Sequence, residues 1–453
     1  MIAILVRFRE YSVHMPEMTS IATTPRVTDI LGQIATQCRV PVSAIEDAYP
    51  ATDIQAAQFA VTVQSPRQLY FNFIFELSEE VACDAERLRR TFQSVYQRNA
   101  TLRARIVRYN DGEGKEARTA QAVIRQELPW TEFTDLDTYC QSSIGDVVNY
   151  GDNINFFALA VDRKHFVWTV HHALYDGWSL VILFKEIYAT WLSGGEAGPL
   201  PERPMFSRLV RYLQQPVSDD TSEYWKKHLS GYQGAVFPAY DRESQIDVRV
   251  QRKIRHSLPH NHKLSISARL QTAWICTLIA LLDATDIILL MASTGRNCPV
   301  PGVDELIGLC VCGIPLRIQA DLNATLRSMI GKVQQTHRES IEHEHSGYSS
   351  FLKHVEESRR PPHIFNLKSG DMENWDFPGM RYQEPKEILP SPNSWEMDMT
   401  MDGDLVSWTL IADSTRVGHD NIKFMEDRFS KLMRICLSIE GDLEVKVGDV
   451  SKR

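Results

Sequence analysis

Apolar and polar positions along this chain repeat with two periods, near two and near four. Tyr70 to Leu77 alternates in steps of two, the pattern of a strand with one covered face. Ala85, Leu88, Phe92, Val95 and Tyr96 then recur at helical spacing, and Ile30, Leu31, Ile34 and Cys38 do the same earlier. Asn155–Val161 and His165–Val170 are aromatic and β-branched runs joined by Asp162-Arg163-Lys164, which predicts a hairpin of core strands. Leu180 to Leu192 is apolar on nearly every face, with Lys185 and Glu186 as its only charges; such a helix is enclosed by protein.

Further on, Ile266, Leu270, Trp274, Leu278 and Leu282 stripe a long helix over 262–282. Ile287–Met291 reads as a buried strand, and Cys310 and Cys312 fit one face of another. Late strands are expected over 393–400 and 405–411, and a last helix over 421–439. Strands and helices alternate in both halves, which predicts an α/β (α+β) fold. Thr23-Thr24-Pro25 reads as an entry linker. Gly194 to Pro204 holds three glycines and three prolines and is the best linker between lobes. The expected division is a lead segment and helix over 1–44, an N-terminal lobe over 45–200 and a C-terminal lobe over 201–453.

Composition narrows the class. A length of 453 residues accommodates two lobes of ordinary size. A net charge of -9 argues against a nucleic-acid partner. The eight cysteines show no metal-ligand spacing and read as reduced thiols of a cytoplasmic protein. No apolar run is long enough for a membrane span, and Met1–Val6 is too short for a signal peptide.

The chemistry concentrates between the hairpin and the buried helix, in His171-His172-Ala-Leu-Tyr-Asp176-Gly177-Trp178-Ser179. His172 sits where a strand ends and can exchange a proton near neutral pH. Asp176 lies at the mouth of the helix, where free N–H groups and the dipole favour a carboxylate. Gly177 is read as allowing a turn that a Cβ would oppose.

This stretch resembles the active-site motif of condensation domains of nonribosomal peptide synthetases, especially the fungal kind. Plant-type acyltransferases and wax-ester synthases carry related patterns, but the late Asp-Phe-Gly-Trp-Gly element of the plant type is absent. Ile45-Glu-Asp-Ala-Tyr-Pro50 leading to Thr52 and Gln55 is similar to the family's opening signature. Arg98, Leu102 and Arg103, the Tyr224-Trp225 helix, Gly295-Arg296, Gly308, Pro315-Leu316-Arg317 and Ile341–Tyr348 resemble further family elements. After Leu367 the family's long apolar strand looks shortened.

The resemblance implies two chloramphenicol-acetyltransferase-like lobes, a pseudo-dimer with a central tunnel and His172 midway. It implies a carrier-bound acyl or aminoacyl thioester as donor and an amine as acceptor, free or on a second carrier. His172 would be base or positioner, and Gly177 N–H a candidate oxyanion donor. Asp176 would form a buried salt bridge with Arg296, and His171 would be a structural histidine. Trp178, Ser179 and Thr294 would be tunnel candidates. No metal or bound cofactor is implied; the substrates ride on the 4'-phosphopantetheine of peptidyl or acyl carrier proteins, and the enzyme is expected to be a monomer. No adenylation or carrier domain is visible, so the chain is either excised or works in trans; the lead segment leans towards a free-standing protein. Two alternatives stay open. One is a terminal condensation-like domain releasing a peptide by cyclisation or esterification. The other is a catalytically silent carrier-binding module.

Overall fold

The computed structural model describes residues 25–111, 117–196, 198, 203–238, 246–257, 263–346, 351, 353–356, 359–361, 363–370, 379–383, 393–438 and 443–452. The expected entry linker at 23–24, residues 197 and 199–202 of the 194–204 linker, the tip of the loop after Asn110, and Gly347 and Tyr348 lie outside these residues. The chain divides into two compact units. One comprises 1–215, 298–310 and 375–389; the other comprises 216–297, 311–374 and 390–453. The two late returns to the first unit had no visible sign in the apolar pattern.

In the first unit, helix α1 (Pro25–Cys38) lies against an antiparallel sheet of order β1 (Ile45–Pro50), β4 (Arg118–Ile124), β3 (Ala104–Tyr109). Ile34, Cys38, Val107 and Ala122 form the small core between them. Helix α2 (Asp53–Gln64) starts with a capping box: Thr52 accepts from the Gln55 amide, and the Gln55 side chain accepts from the Thr52 amide.

The larger sheet runs β12 (Met380–Gln383), β2 (Tyr70–Leu77), β7 (His165–His171), β6 (Asn155–Ala160), β5 (Trp130–Phe133). Its pairings are antiparallel except β5 with β6. The predicted strand at 70–77 and the hairpin at 155–170 are both present. Helices α3 (Ala85–Arg98) and α4 (Gly177–Leu192) supply the apolar partners of this sheet. Phe92 meets Phe166 at 4.6 Å between ring centroids, and Phe184 meets Phe75 at 5.7 Å. Helix α5 (Phe206–Leu213) shares a further core with the returning segment, through Phe206, Leu209, Val300, Leu306 and Cys310.

The second unit is built on a six-stranded sheet of order β10 (Cys312–Gln319), β9 (Asp286–Ser293), β11 (His363–Ser369), β13 (Trp395–Asp402), β14 (Leu405–Ala412), β8 (Val248–Arg255). Strand β11 runs parallel to both neighbours, and the other pairings are antiparallel. Side chains along β9 split by period two. Ile287, Leu289 and Met291 join the core of helices α7 (Ile266–Leu282), α8 (Leu326–Ile341) and α9 (His419–Cys436). Ile288 joins Trp225 of helix α6 (Asp219–Leu229) instead. Trp274 of α7 packs edge-on against Trp395 and Phe429.

Two local expectations need correction. Cys310 does not share a strand with Cys312: it is buried in the first unit's returning segment, before β10 begins. The strand after His363 does not stop at Leu367 but runs to Ser369.

Candidate active site

Strand β7 carries the paired histidines to its end, with His171 opposite Tyr70 of β2. The His171 side chain is fully buried. Its Nδ1 accepts from the Ala173 amide at 3.0 Å, and its Nε2 lies 2.7 Å from Thr62 Oγ1. With Nδ1 accepting, the ring proton sits on Nε2 and points at Thr62. The Thr62 hydroxyl in turn lies 2.9 Å from the Gln68 carbonyl. Burial, and then the neighbouring charge of His172, pull the pKa of His171 down to about 3. A neutral imidazole locked by both nitrogens braces the loop and does not shuttle protons at neutral pH.

His172 opens a single turn, His172–Leu174. Its amide donates to the Leu69 carbonyl at 2.8 Å, which ties the turn to the start of β2. Its ring is half-buried and lies nearly parallel to Tyr175, centroids 5.0 Å apart, with Phe71 edge-on at 5.6 Å. Two aromatic faces thus fix the plane of an imidazole that keeps partial access.

Asp176 is the N-cap of α4 and is buried. Oδ1 accepts from the Ser179 amide and the Ser179 hydroxyl, both at 2.8 Å. Oδ2 accepts from the Cys310 amide at 2.9 Å. Ser179 Oγ also lies 2.8 Å from the Gly308 carbonyl and accepts from the Gly308 amide at 3.0 Å. Trp178 Nε1 donates to the Asp304 carbonyl at 2.8 Å, and Thr101 Oγ1 donates to the Ile307 carbonyl at 2.9 Å. The carboxylate therefore joins the mouth of α4 to a segment 134 residues further along.

Two expectations about this loop change. Ser179 has no exposed surface, so it cannot line an open tunnel; it fastens the returning segment to α4. Gly177 is the first residue of α4 and is not among the glycines with positive φ, so a turn is not what it supplies. Its amide is one of the four that a helix start leaves without an intrahelical acceptor.

Gln55 has a second role that the sequence alone does not show. Its Nε2 donates to the Ala173 carbonyl at 2.7 Å and to Gln121 Oε1 at 3.0 Å, so α2 props the histidine turn from below. The Thr52-x-x-Gln55 spacing was visible as a cap, but the second contact was not.

Thr294 and Arg296 lie in the second unit, just past β9. Thr294 is exposed and Arg296 is buried. Arg296 Nη1 donates to the Thr294 carbonyl at 3.1 Å. The expected Asp176–Arg296 pair joins residues of different units and remains a proposal. Among the described residues no group of three or more His, Cys, Asp or Glu side chains could hold a metal ion, and no helix is long and apolar enough to cross a membrane.

The site thus sets a half-buried histidine at a strand end, before a capped and buried helix. Comparison with known proteins agrees. The condensation-domain profile matches residues 152–388, just over half of the chain, and the chain belongs to the condensation-domain family. It is 29% identical over 370 residues to FR901469 synthetase of Dothideomycetidae sp., covering 79% of this chain and 2% of that protein. It is 28% identical over 440 residues to nonribosomal peptide synthetase inpB of Emericella nidulans, covering 92% of this chain and 18% of that protein. The chain thus spans only a small part of these curated relatives. Among solved structures, one titled "The crystal structure of CT" superposes with a TM-score of 0.70 at 18% identity, over 96% of this chain and 99% of that one. The condensation domain from Monacolin K polyketide synthase superposes with a TM-score of 0.66 at 16% identity, over 89% and 100%. These likenesses establish the condensation-domain fold, a member of the chloramphenicol-acetyltransferase-like class. Condensation domains in nonribosomal peptide synthetases are amide-forming acyltransferases that work with carrier domains.

Proposed function

We propose that this chain forms an amide bond between an acyl or aminoacyl thioester and an amine, in nonribosomal peptide biosynthesis. The observation that carries the reading is the placement of His172: half-buried, at a strand end, its ring plane set by Tyr175 and Phe71. The amine nitrogen attacks the thioester carbonyl, and His172 takes its proton or orients it. A positioned base contributes about 10²–10⁴-fold. The C–S bond then breaks and the departing thiol takes the proton. The Gly177 amide, at a positive helix end, stabilises the oxyanion. Asp176 acts as a clamp rather than a base, because both of its oxygens already accept hydrogen bonds. In this reading Arg296 adds a charge partner to that clamp.

The donor rides on the 4'-phosphopantetheine arm of a peptidyl or acyl carrier protein, and the acceptor is an amine, free or on a second carrier. A condensation domain of rhizomide synthetase, solved with C8-CoA and Leu-SNAC, supports the pairing of an acyl with an aminoacyl thioester. Cysteines without a disulfide among the described residues suit a reducing compartment, and we place the chain in the cytoplasm, as a monomer.

The test is intact mass spectrometry of loaded carriers and amines with wild type and His172→Ala. Amide product is expected from wild type and none from the variant, with unchanged circular dichroism. Equal product from both would remove His172 from the chemistry. Carrier binding without any mass change would replace the enzyme by a carrier-binding module.

A further inference from the structure

The second unit sets a thiol beside an imidazole and a buried carboxylate. Cys312 opens β10 and sits opposite Ser293 of β9. Its Sγ lies 3.9 Å from Nδ1 of His345, within reach of a sulfur hydrogen bond. The other face of the imidazole is set by Glu344, whose Oε1 lies 3.3 Å from His345 Nε2. Glu344 is itself buried and fixed: it accepts from the Ser293 hydroxyl, and from the Asn297 amide at 3.2 Å. Strand β9 therefore positions the carboxylate within 3.3 Å of Nε2, while Nδ1 faces sulfur. A nucleophile, a base and a group orienting the base are the parts an activated thiol needs, and such contacts are often loose before substrate binds.

Access separates Cys312 from most other cysteines of the chain. Cys38, Cys276, Cys310 and Cys436 are buried, and burial pushes the Cys38 thiol up to about 11 and Cys276 to about 12. The Cys38, Cys276 and Cys436 thiols stay protonated and inert. Cys312 is half-buried, and Cys83 is exposed.

The geometry points to Cys312, His345 and Glu344 as a second acyl-accepting centre that takes acyl groups from thioesters by exchange. This rests on the reading of acyl thioesters as the donors of this chain. In the step, the Cys312 S–H gives its proton to His345 Nδ1, and the thiolate attacks the thioester carbonyl. The new carbon–sulfur bond forms as the old one breaks, and the departing thiolate takes the proton back from His345. An acyl thioester and a thiol become an acyl-Cys312 and a thiol, with no oxidant or further reactant.

The probe is octanoyl-N-acetylcysteamine, incubated with the full chain at neutral pH, with the site read by peptide mass spectrometry. Octanoylation of Cys312 is expected about 10²-fold faster than of Cys83, the lower end for a positioned base. His345→Gln should slow Cys312 to the pace of Cys83, and Cys312→Ser should remove that label alone. Equal rates at Cys312 and Cys83 in wild type would overturn the proposal, whether or not the His345 variant folds. An unchanged rate in a folded His345→Gln protein would also overturn it. Amide formation is measured on the same samples. Amide product without Cys312 labelling removes only this inference; labelling without amide product removes only the condensation reading.

Discussion

At the scale of single residues, Asp176 shows how much of a loop one carboxylate can tie together. It caps α4 through Ser179 and holds Cys310 of the returning segment. Asp176→Ala removes the cap, about 0.5–2 kcal/mol, and strands a buried amide, about 1–3 kcal/mol. The expected result is a destabilisation of about 2–4 kcal/mol in urea unfolding, with activity falling too. Unfolding at the wild-type midpoint would show that the three hydrogen bonds do not hold the loop. Gln55 makes the matching argument from the other side of the turn. Gln55→Leu keeps most of the volume but leaves the Ala173 carbonyl and Gln121 without that partner. A loss of about 1–3 kcal/mol is expected. Amide formation should fall with it while circular dichroism keeps its shape; a variant as active and as stable as wild type would uncouple α2 from the histidine turn.

At the scale of elements, the returning segment 298–310 is the piece that completes the loop. Gly308 carries both the acceptor and the donor for Ser179, and a Cβ there would meet the Phe206 ring at 2.1 Å. Gly308→Ala is therefore expected to cost about 1–3 kcal/mol by overpacking. Phe206→Ala opens a cavity at about 3–5 kcal/mol. Combined, the two should cost less than their sum, because the space left by the ring admits the methyl. Strict additivity in thermal or urea unfolding would place the clash elsewhere. This segment also marks where sequence reading ends. Strands β2, β6 and β7 and helix α4 were legible because their signal is local: a period of two, or an apolar run with few charges. The His-His-x-x-x-Asp-Gly spacing was legible for the same reason. The partners of that motif were not, since Ser179 reaches Gly308 across 129 residues and Gln55 reaches Ala173 across 118. Strand β12 was missed because four residues with Arg381 and Gln383 among them carry no strand pattern; its pairing with β2, and Arg381 against Glu76, exist only in the folded unit. Strand β8 was missed as well, because arginines dilute its Val248-x-Val250 alternation, as suits an edge strand.

At the scale of the whole molecule, two buried histidines and one half-buried make stability depend on acid. Burial lowers the pKa of His171 and His363 to about 3, and burial with Arg317 lowers His228 to about 4. An unfolded histidine titrates near 6.5. Between that value and the folded pKa the unfolded chain binds a proton that the folded chain refuses. Stability is thus complete above about pH 6.5 and declines as pH falls towards 4 and then 3, by about 1.4 kcal/mol per histidine per pH unit. Set against a total of about 5–15 kcal/mol for a domain, that loss is large by pH 5. His363 allows the claim to be isolated. Its ring stacks on Trp395 with centroids 4.0 Å apart and an interplanar angle of 9°, and among the described residues neither ring nitrogen has a hydrogen-bond partner. His363→Phe keeps an aromatic ring on the tryptophan and deletes the titrating group. Its melting temperature should stay close to wild type at pH 7.5 and exceed wild type at pH 5.0, where only the imidazole asks for a proton. If both proteins lose the same number of degrees between those two pH values, the acid sensitivity of the second unit comes from another group, with His228 the next to replace.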